Sequence, residues 1–227
     1  LEKVSGQSYG DYVAQYIFTP LDMRNAYSSP TLAKAGGLSE GHIYMFGHVF
    51  RNEGPKPPAY LPTGLLMASI EDMAHYAVAQ MSEGNYQGSS ILSPQGISEL
   101  HAPAIAIQAE GPYYAMGWAV GEVEGKPIIN HTGDDGRSHA NIMLSPEDNL
   151  GFVLLANASG FGQVNQVDQI AIELYDLLIG KAGNPVSIPF IIQFSYWGLL
   201  SIPLFQILGI ALVWRKRDRL KVWCVLL

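Results

Sequence analysis

Four consecutive residues, His131, Thr132, Gly133 and Asp134, set an imidazole, a hydroxyl, a bare stretch of backbone and a carboxylate side by side. An imidazole titrates near neutral pH and can move protons. A glycine on a strand edge lets the backbone of a ligand approach and pair. Without further context, His131 reads as a half-buried histidine satisfied by a backbone carbonyl. A nucleophile is harder to find. No serine has a lysine three residues later, so the S-x-x-K pattern is absent, and there is no Tyr-x-Asn. Gly6-Gln7-Ser8-Tyr9-Gly10 fits G-x-S-x-G, in which a serine on a sharp strand-to-helix turn attacks a carbonyl, and His131 would then complete a triad. That turn needs a buried strand before it and a parallel sheet around it, and residues 1–5 are too few and too polar to supply the strand. Arg137 and His139 read as a polar pair on the solvated outer face of a strand. His42, His48 and His75 have no metal-ligand spacing and read as structural. Tyr44, Tyr60 and Tyr113 either border a cleft or pack. Cys224 is the sole cysteine, which excludes an internal disulfide and a cysteine-based zinc site. No cofactor and no metal are expected.

The elements that must hold these residues follow from periodicity. Residues 1–4 read as a last helical turn ended by Gly6, and Ser8 with Asp11 caps a new helix that Pro20 ends. Residues 28–62, rich in Gly and Pro, read as long loops with short elements. Ser69 with Asp72 opens a helix whose apolar side is Ile70, Met73, Ala74, Ala77, Val78 and Met81. Ser93-Pro94 opens a shorter one that ends near His101. The period then changes to two. Strands are predicted over 113–122, 127–132, 138–144 and 150–157, the last two joined by a hairpin loop at 145–149. Residues 152–156 are apolar throughout and predict a strand covered on both faces. After Gly162, the set Val164, Val167, Ile170, Ala171, Leu174, Leu177 and Leu178 marks a closing amphipathic helix. Helices, then an antiparallel meander, then a helix make an α+β pattern.

The composition separates a second region. Of 227 residues, 48% are hydrophobic and only 15% charged, below the ~25% usual for soluble domains. Residues 190–214 carry no charge and are apolar apart from Gln193, Ser195, Ser201 and Gln206. As a helix rising ~1.5 Å per residue they span the ~30 Å of a bilayer core, and Pro203 is tolerated there. Arg215, Lys216, Arg217, Arg219 and Lys221 follow, against Asp218 alone, which places that end in the cytoplasm and the preceding domain outside it. Without 215–227, 8 basic residues face 19 acidic ones, a net charge of −11. Such a surface repels phosphate backbones, so nucleic acid is not an expected partner. The expected partners are the bilayer, through 190–214, and a small-molecule or peptide substrate; the oligomeric state is not legible.

Val4-Ser5-Gly6-Gln7-Ser8-Tyr9, then Ile17-Phe18-Thr19-Pro20-Leu21-Asp22-Met23, resembles the segment after the tyrosine motif of class C β-lactamase-like serine hydrolases. Gly64-Leu65-Leu66 with Ser69-Ile70-Glu71-Asp72-Met73 is similar to the glycine turn and helix of that family, and His131-Thr132-Gly133 to its third active-site motif in histidine form. Asp22 and Ala26 depart from the usual Gly and Thr, away from the chemistry. The resemblance covers 1–180 and implies a β-lactamase/transpeptidase-like sheet packed by helices, followed by a linker over 181–189, a transmembrane helix over 190–214 and a basic segment over 215–227. It further implies acyl-enzyme chemistry on β-lactam, D-alanyl peptide or ester substrates, with the nucleophile motif upstream of Leu1 and the 227 residues alone inactive. In that scheme His131 replaces the usual lysine, the Asp134 N–H is an oxyanion donor, and Thr132 and Gly133 bind substrate. The alternatives are a non-catalytic penicillin-recognising sensor and an α/β-hydrolase with Ser8 as nucleophile.

Overall fold

The computed structural model describes residues 1–45, 48–52, 54, 58–109, 111–160, 164–187 and 190–216. Two units are distinguished, Leu1–Val186 and Ser187–Leu227. In the first, α1 (Glu2–Ser5) stops at Gly6, whose φ of 71° is the left-handed cap that glycine adopts cheaply. Ser8 then caps α2 (Tyr9–Val13), its hydroxyl accepting the Asp11 N–H at 3.1 Å. The coil continues as a π turn, Ala14–Phe18, which carries Phe18 into a core with Val13, Leu21 and Met23. The stretch read as loops holds α3 (Pro30–Ala35), a hairpin of β1 (His42–Met45) and β2 (His48–Arg51), a 3-10 turn at Pro58–Tyr60, and α4 (Leu61–Gly64).

Helix α5 (Ile70–Met81) starts where its cap predicts, with Ser69 Oγ accepting the Asp72 N–H at 3.1 Å. Its buried side differs from the expected apolar set. Ile70 and Val78 are exposed, whereas Asp72, Ala79 and Gln80 go inside. The two polar side chains are tolerated because they are bonded: Asp72 Oδ2 accepts the Asn25 N–H at 2.8 Å, and Gln80 Oε1 lies 3.0 Å from His101 Nε2. A small hairpin of β3 (Asn85–Tyr86) and β4 (Ser89–Ser90) leads to α6 (Pro94–Leu100), capped by Ser93 on the Gly96 N–H at 3.1 Å.

The main sheet comprises β5 (Ile105–Ala106), β6 (Tyr113–Tyr114), β7 (Ala119–Val123), β8 (Lys126–Asp134), β9 (His139–Ser145) and β10 (Leu150–Ala156), in the order β10-β9-β8-β7-β6-β5 with every neighbour antiparallel. The single strand expected over 113–122 is a hairpin. The chain reverses where the Ala115 N–H bonds the Trp118 carbonyl at 2.7 Å and Gly117 takes φ 82°, so Tyr114 faces Ala119. Nor is β10 the strand covered on both faces. It is an edge and only partly buried, while β9, between β8 and β10, is the buried one.

Strand alternation divides the β8-β9 ladder cleanly. Ile129, Ile142 and Leu144 pack with Ala77 of α5 and with Trp118. Ile128 and Met143 face the other way, toward Ala171 and Tyr175 of α7 (Val164–Leu178). Between them, β11 (Ala158–Ser159) leaves the main sheet and pairs in parallel with β1. On α7 the expected apolar face is again displaced, because Ile170, Leu177 and Leu178 are exposed and Ala171 and Tyr175 are buried. The second unit contains α8 (Phe190–Arg215), with 26 residues and a window of mean hydropathy 1.8, long and apolar enough to cross a membrane. The hydroxyls of Ser195 and Ser201 bond back to the carbonyls of Ile191 and Gly198 at 2.7 Å, so neither is left unpaired along the helix. Arg217, Asp218, Arg219 and Lys221, on which the basic-segment expectation partly rests, lie outside the described residues, as do Cys224 and Gly162.

Candidate active site

Strand β8 outlasts its neighbour. β7 pairs with it from Val123 opposite Lys126 to Ala119 opposite Asn130, and beyond that point His131, Thr132, Gly133 and Asp134 pair, among the described residues, with β9 alone. Their other edge is open. The Asp135 N–H bonds the Ser138 carbonyl of the β9 side at 3.2 Å, and strand alternation then directs the N–H groups of Asp134 and Thr132 to the unpaired edge. All four residues are exposed, and a Cβ added at Gly133 would meet nothing within 4 Å.

His131 lies opposite Ile142, on the face that α5 shares. Its Nε2 is 3.4 Å from the Tyr114 hydroxyl, which the β6-β7 hairpin brings alongside. Although the ring reaches solvent, the protein around it disfavours the charged form and lowers its pKa below the ordinary histidine value. A neutral ring offers a nitrogen lone pair as a proton acceptor.

Thr132 and Asp134 point the opposite way, into a network that the sequence did not announce. The Thr132 hydroxyl donates to Asp168 Oδ1 of α7 at 2.8 Å and lies 2.9 Å from His139 Nε2. His139 Nε2 is also 3.1 Å from Asp168 Oδ1, its Nδ1 is 3.3 Å from Asp134 Oδ2, and Asn141 Nδ2 donates to Asp168 at 3.1 Å. Ser159 of β11 donates to Asp134 Oδ2, and the Gly136 N–H donates to Asp134 Oδ1 at 2.7 Å. The His139 side chain is only 1% exposed. Burial works against its charge, but the bonds to Asp168 and Asp134 outweigh it and raise the pKa above the ordinary value. Burial likewise disfavours the charge of Asp168, yet the bonds from His139, Thr132 and Asn141 bring its pKa below the usual carboxylate range.

The reading of His139 and Arg137 as a solvated pair is therefore corrected. Arg137 grips Asp135 Oδ2 through Nε and Nη2 at 3.2 and 3.1 Å and donates from Nη1 to the Gly54 carbonyl at 2.8 Å, bracing the turn after β8. His42 and His75 each hold a backbone carbonyl, of Asn157 and Leu21, at 3.0 Å. Ser8 caps a helix that follows another helix, its Oγ 2.6 Å from Asp11 Oδ2. With the main sheet antiparallel, that is not the strand-to-helix turn a G-x-S-x-G nucleophile requires. Asp168 and Ser159 were missed because only tertiary contact, 25 and more residues along the chain, joins them to the motif.

The β-lactamase family profile matches residues 1–177. Curated relatives include Unguisins hydrolase ungD' of Aspergillus campestris (strain IBT 28561), 26% identical over 168 residues, and Protein flp of Staphylococcus aureus (strain MW2), 25% identical over 163. These alignments take in 70% and 69% of this chain, which spans 30% of the length of each relative. Among solved structures, the octameric penicillin-binding protein homologue from Pyrococcus abyssi superposes with a TM-score of 0.69 at 26% identity, covering 84% of this chain and 42% of that one. The penicillin binding protein from Bacillus halodurans gives 0.59 at 20% identity, covering 77% and 52%, a likeness of fold. The antiparallel sheet flanked by α5 and α7 is thus similar in fold to those of the penicillin-binding protein and its homologue, and the family match over residues 1–177 shows that the chain belongs to the β-lactamase family.

Proposed function

We propose that residues 131–134 form one wall of an acyl-transfer site in a membrane-anchored serine hydrolase, with the attacking serine supplied by sequence outside residues 1–227. The observation that carries this reading is the edge of β8 left unpaired among the described residues, along which the Asp134 N–H and a neutral, solvent-reaching His131 lie at the same strand end. In this scheme the serine attacks a carbonyl, and the oxygen that gains charge accepts the Asp134 N–H. His131 takes a proton as the nucleophile or the deacylating water is activated, and Tyr114 orients the ring. The Thr132 hydroxyl is engaged with Asp168, so Thr132 contributes its backbone N–H to the substrate, beside a Gly133 that leaves the approach clear. The relatives' names, a hydrolase and penicillin-binding proteins, support a peptide, lactam or ester carbonyl as the target. Helix α8, long and apolar enough to cross a membrane, supports anchoring, and the excess of Arg and Lys over residues 215–221 supports a hydrolase domain outside the cytoplasm.

The test is adduct mapping. The protein expressed from its complete reading frame is treated with a fluorophosphonate and with a fluorescent penicillin, and the labelled peptide is identified by mass spectrometry. Label on a serine outside residues 1–227, with lysine three residues on, is expected. Label on Ser8 contradicts the reading, and reversible penicillin binding without any adduct replaces it with a sensor module.

A further inference from the structure

His139 touches neither the open edge nor the solvent, yet both of its ring nitrogens face acceptors. Nδ1 meets Asp134 Oδ2, which already receives the Ser159 hydroxyl. Nε2 meets Asp168 Oδ1 and the Thr132 oxygen, whose proton is donated to Asp168. A neutral imidazole has one nitrogen without a proton, and on either side that nitrogen would confront an acceptor lone pair. The geometry is that of a doubly protonated ring. Through it, β8 (Thr132, Asp134), β9 (His139, Asn141), β11 (Ser159) and α7 (Asp168) are tied at one point, and Asp134 passes the restraint to the turn by accepting the Gly136 N–H. The charged groups of that turn, Asp135 and Arg137, are paired with each other.

We infer that His139 is a positioning residue: held as an imidazolium between the carboxylates of Asp134 and Asp168, it fixes the end of β8 and so the direction of the Asp134 N–H at the open edge. This rests on the reading of that edge as an oxyanion wall. Neutralising the ring by raising the pH removes a proton from one of its two bonds, frees the Asp134 side chain on one side, and lets the donor wander while the substrate contacts of β8 survive. The consequence falls on kcat rather than KM. A displaced catalytic group costs on the order of 100-fold in rate, and His139→Gln is expected to lower kcat by about that much with KM held within about twofold.

The experiment uses the protein expressed from its complete reading frame, with ring-15N histidine and amide-15N labels, across a pH series. The His139 ring signals are identified by their loss in His139→Gln. At neutral pH both ring nitrogens carry protons, the Asp134 and Gly136 amides shift with the same midpoint as the ring, and kcat for a p-nitrophenyl ester falls at that midpoint. In Asp168→Asn, which keeps the shape of the site, all three midpoints move together to lower pH. A ring with one bare nitrogen at neutral pH, or amides that ignore its titration, overturns the inference. A kcat profile that stays in place while the Asp168→Asn ring titration moves also overturns it. An absence of ester turnover with the ring and amides titrating together instead overturns the acyl-transfer reading and leaves the clamp standing.

Discussion

The two faces of the β8-β9 ladder near residue 132 carry adjacent residues into opposite circumstances. On one face, a Cβ at Gly133 would meet nothing within 4 Å, and His131 reaches solvent with its Nε2 3.4 Å from the Tyr114 hydroxyl. On the other, Thr132 and Asp134 enter a closed set of hydrogen bonds reaching β9, β11 and α7. The difference teaches how a strand divides labour. Because alternate side chains leave by alternate faces, a four-residue motif can stay accessible on one side while the same backbone is riveted in place from the other.

The sharpest way to break the contrast is to remove the shared acceptor of the riveted face. Asp168→Ala leaves Thr132, Asn141 and His139 short of a partner, and urea unfolding at neutral pH should register a loss of about 2 kcal/mol. A pH series sharpens it. The folded pKa of His139 is raised, so its contribution is complete below the ordinary histidine value and is lost as pH rises through the raised value. The pKa of Asp168 is depressed, so its contribution is present above the ordinary carboxylate value and is lost as pH falls through the depressed one. The cost of Asp168→Ala should therefore shrink at both ends of the series. A flat cost would mean that the charges do not meet. Thr132→Val removes one hydroxyl from the network and should cost about 1 kcal/mol. Its neighbour tells the other half: Gly133→Ala, with room for the new methyl, should change stability by less than about 0.5 kcal/mol while slowing ester turnover by crowding the open edge.

Much of this was legible in the chain itself. Ser69 with Asp72 and Ser93 with Pro94 mark helix starts because caps are local chemistry. A tight loop separates β9 from β10 as the turn residues of 145–149 suggest, with Ser145 already in β9 opposite Leu150. The strand predicted over 127–132 carries His131 and Thr132, and in the structure it runs on through Gly133 to Asp134. What escaped was decided at a distance. Residues 113–122 keep a period of two straight through the reversal at Gly117, so pattern alone could not see the hairpin. Helix faces were misjudged because hydrophobicity assigns Ile70, Val78 and Leu177 inward, whereas Asp72 and Gln80 are buried once their hydrogen bonds are made and Asp168 is half-buried against β8 and β9. His139 looked like a solvated residue among polar neighbours, and nothing within the strand foretells a carboxylate arriving from α7.

On the proposed reading, His131 works at an exposed edge which does not depend on it for stability. The direct measurement compares wild type and His131→Ala, each expressed from its complete reading frame, for p-nitrophenyl ester turnover and for thermal midpoint in the same preparation. Turnover should fall by about 100-fold with the midpoint essentially unmoved. Unchanged turnover in a folded His131→Ala protein would contradict the account.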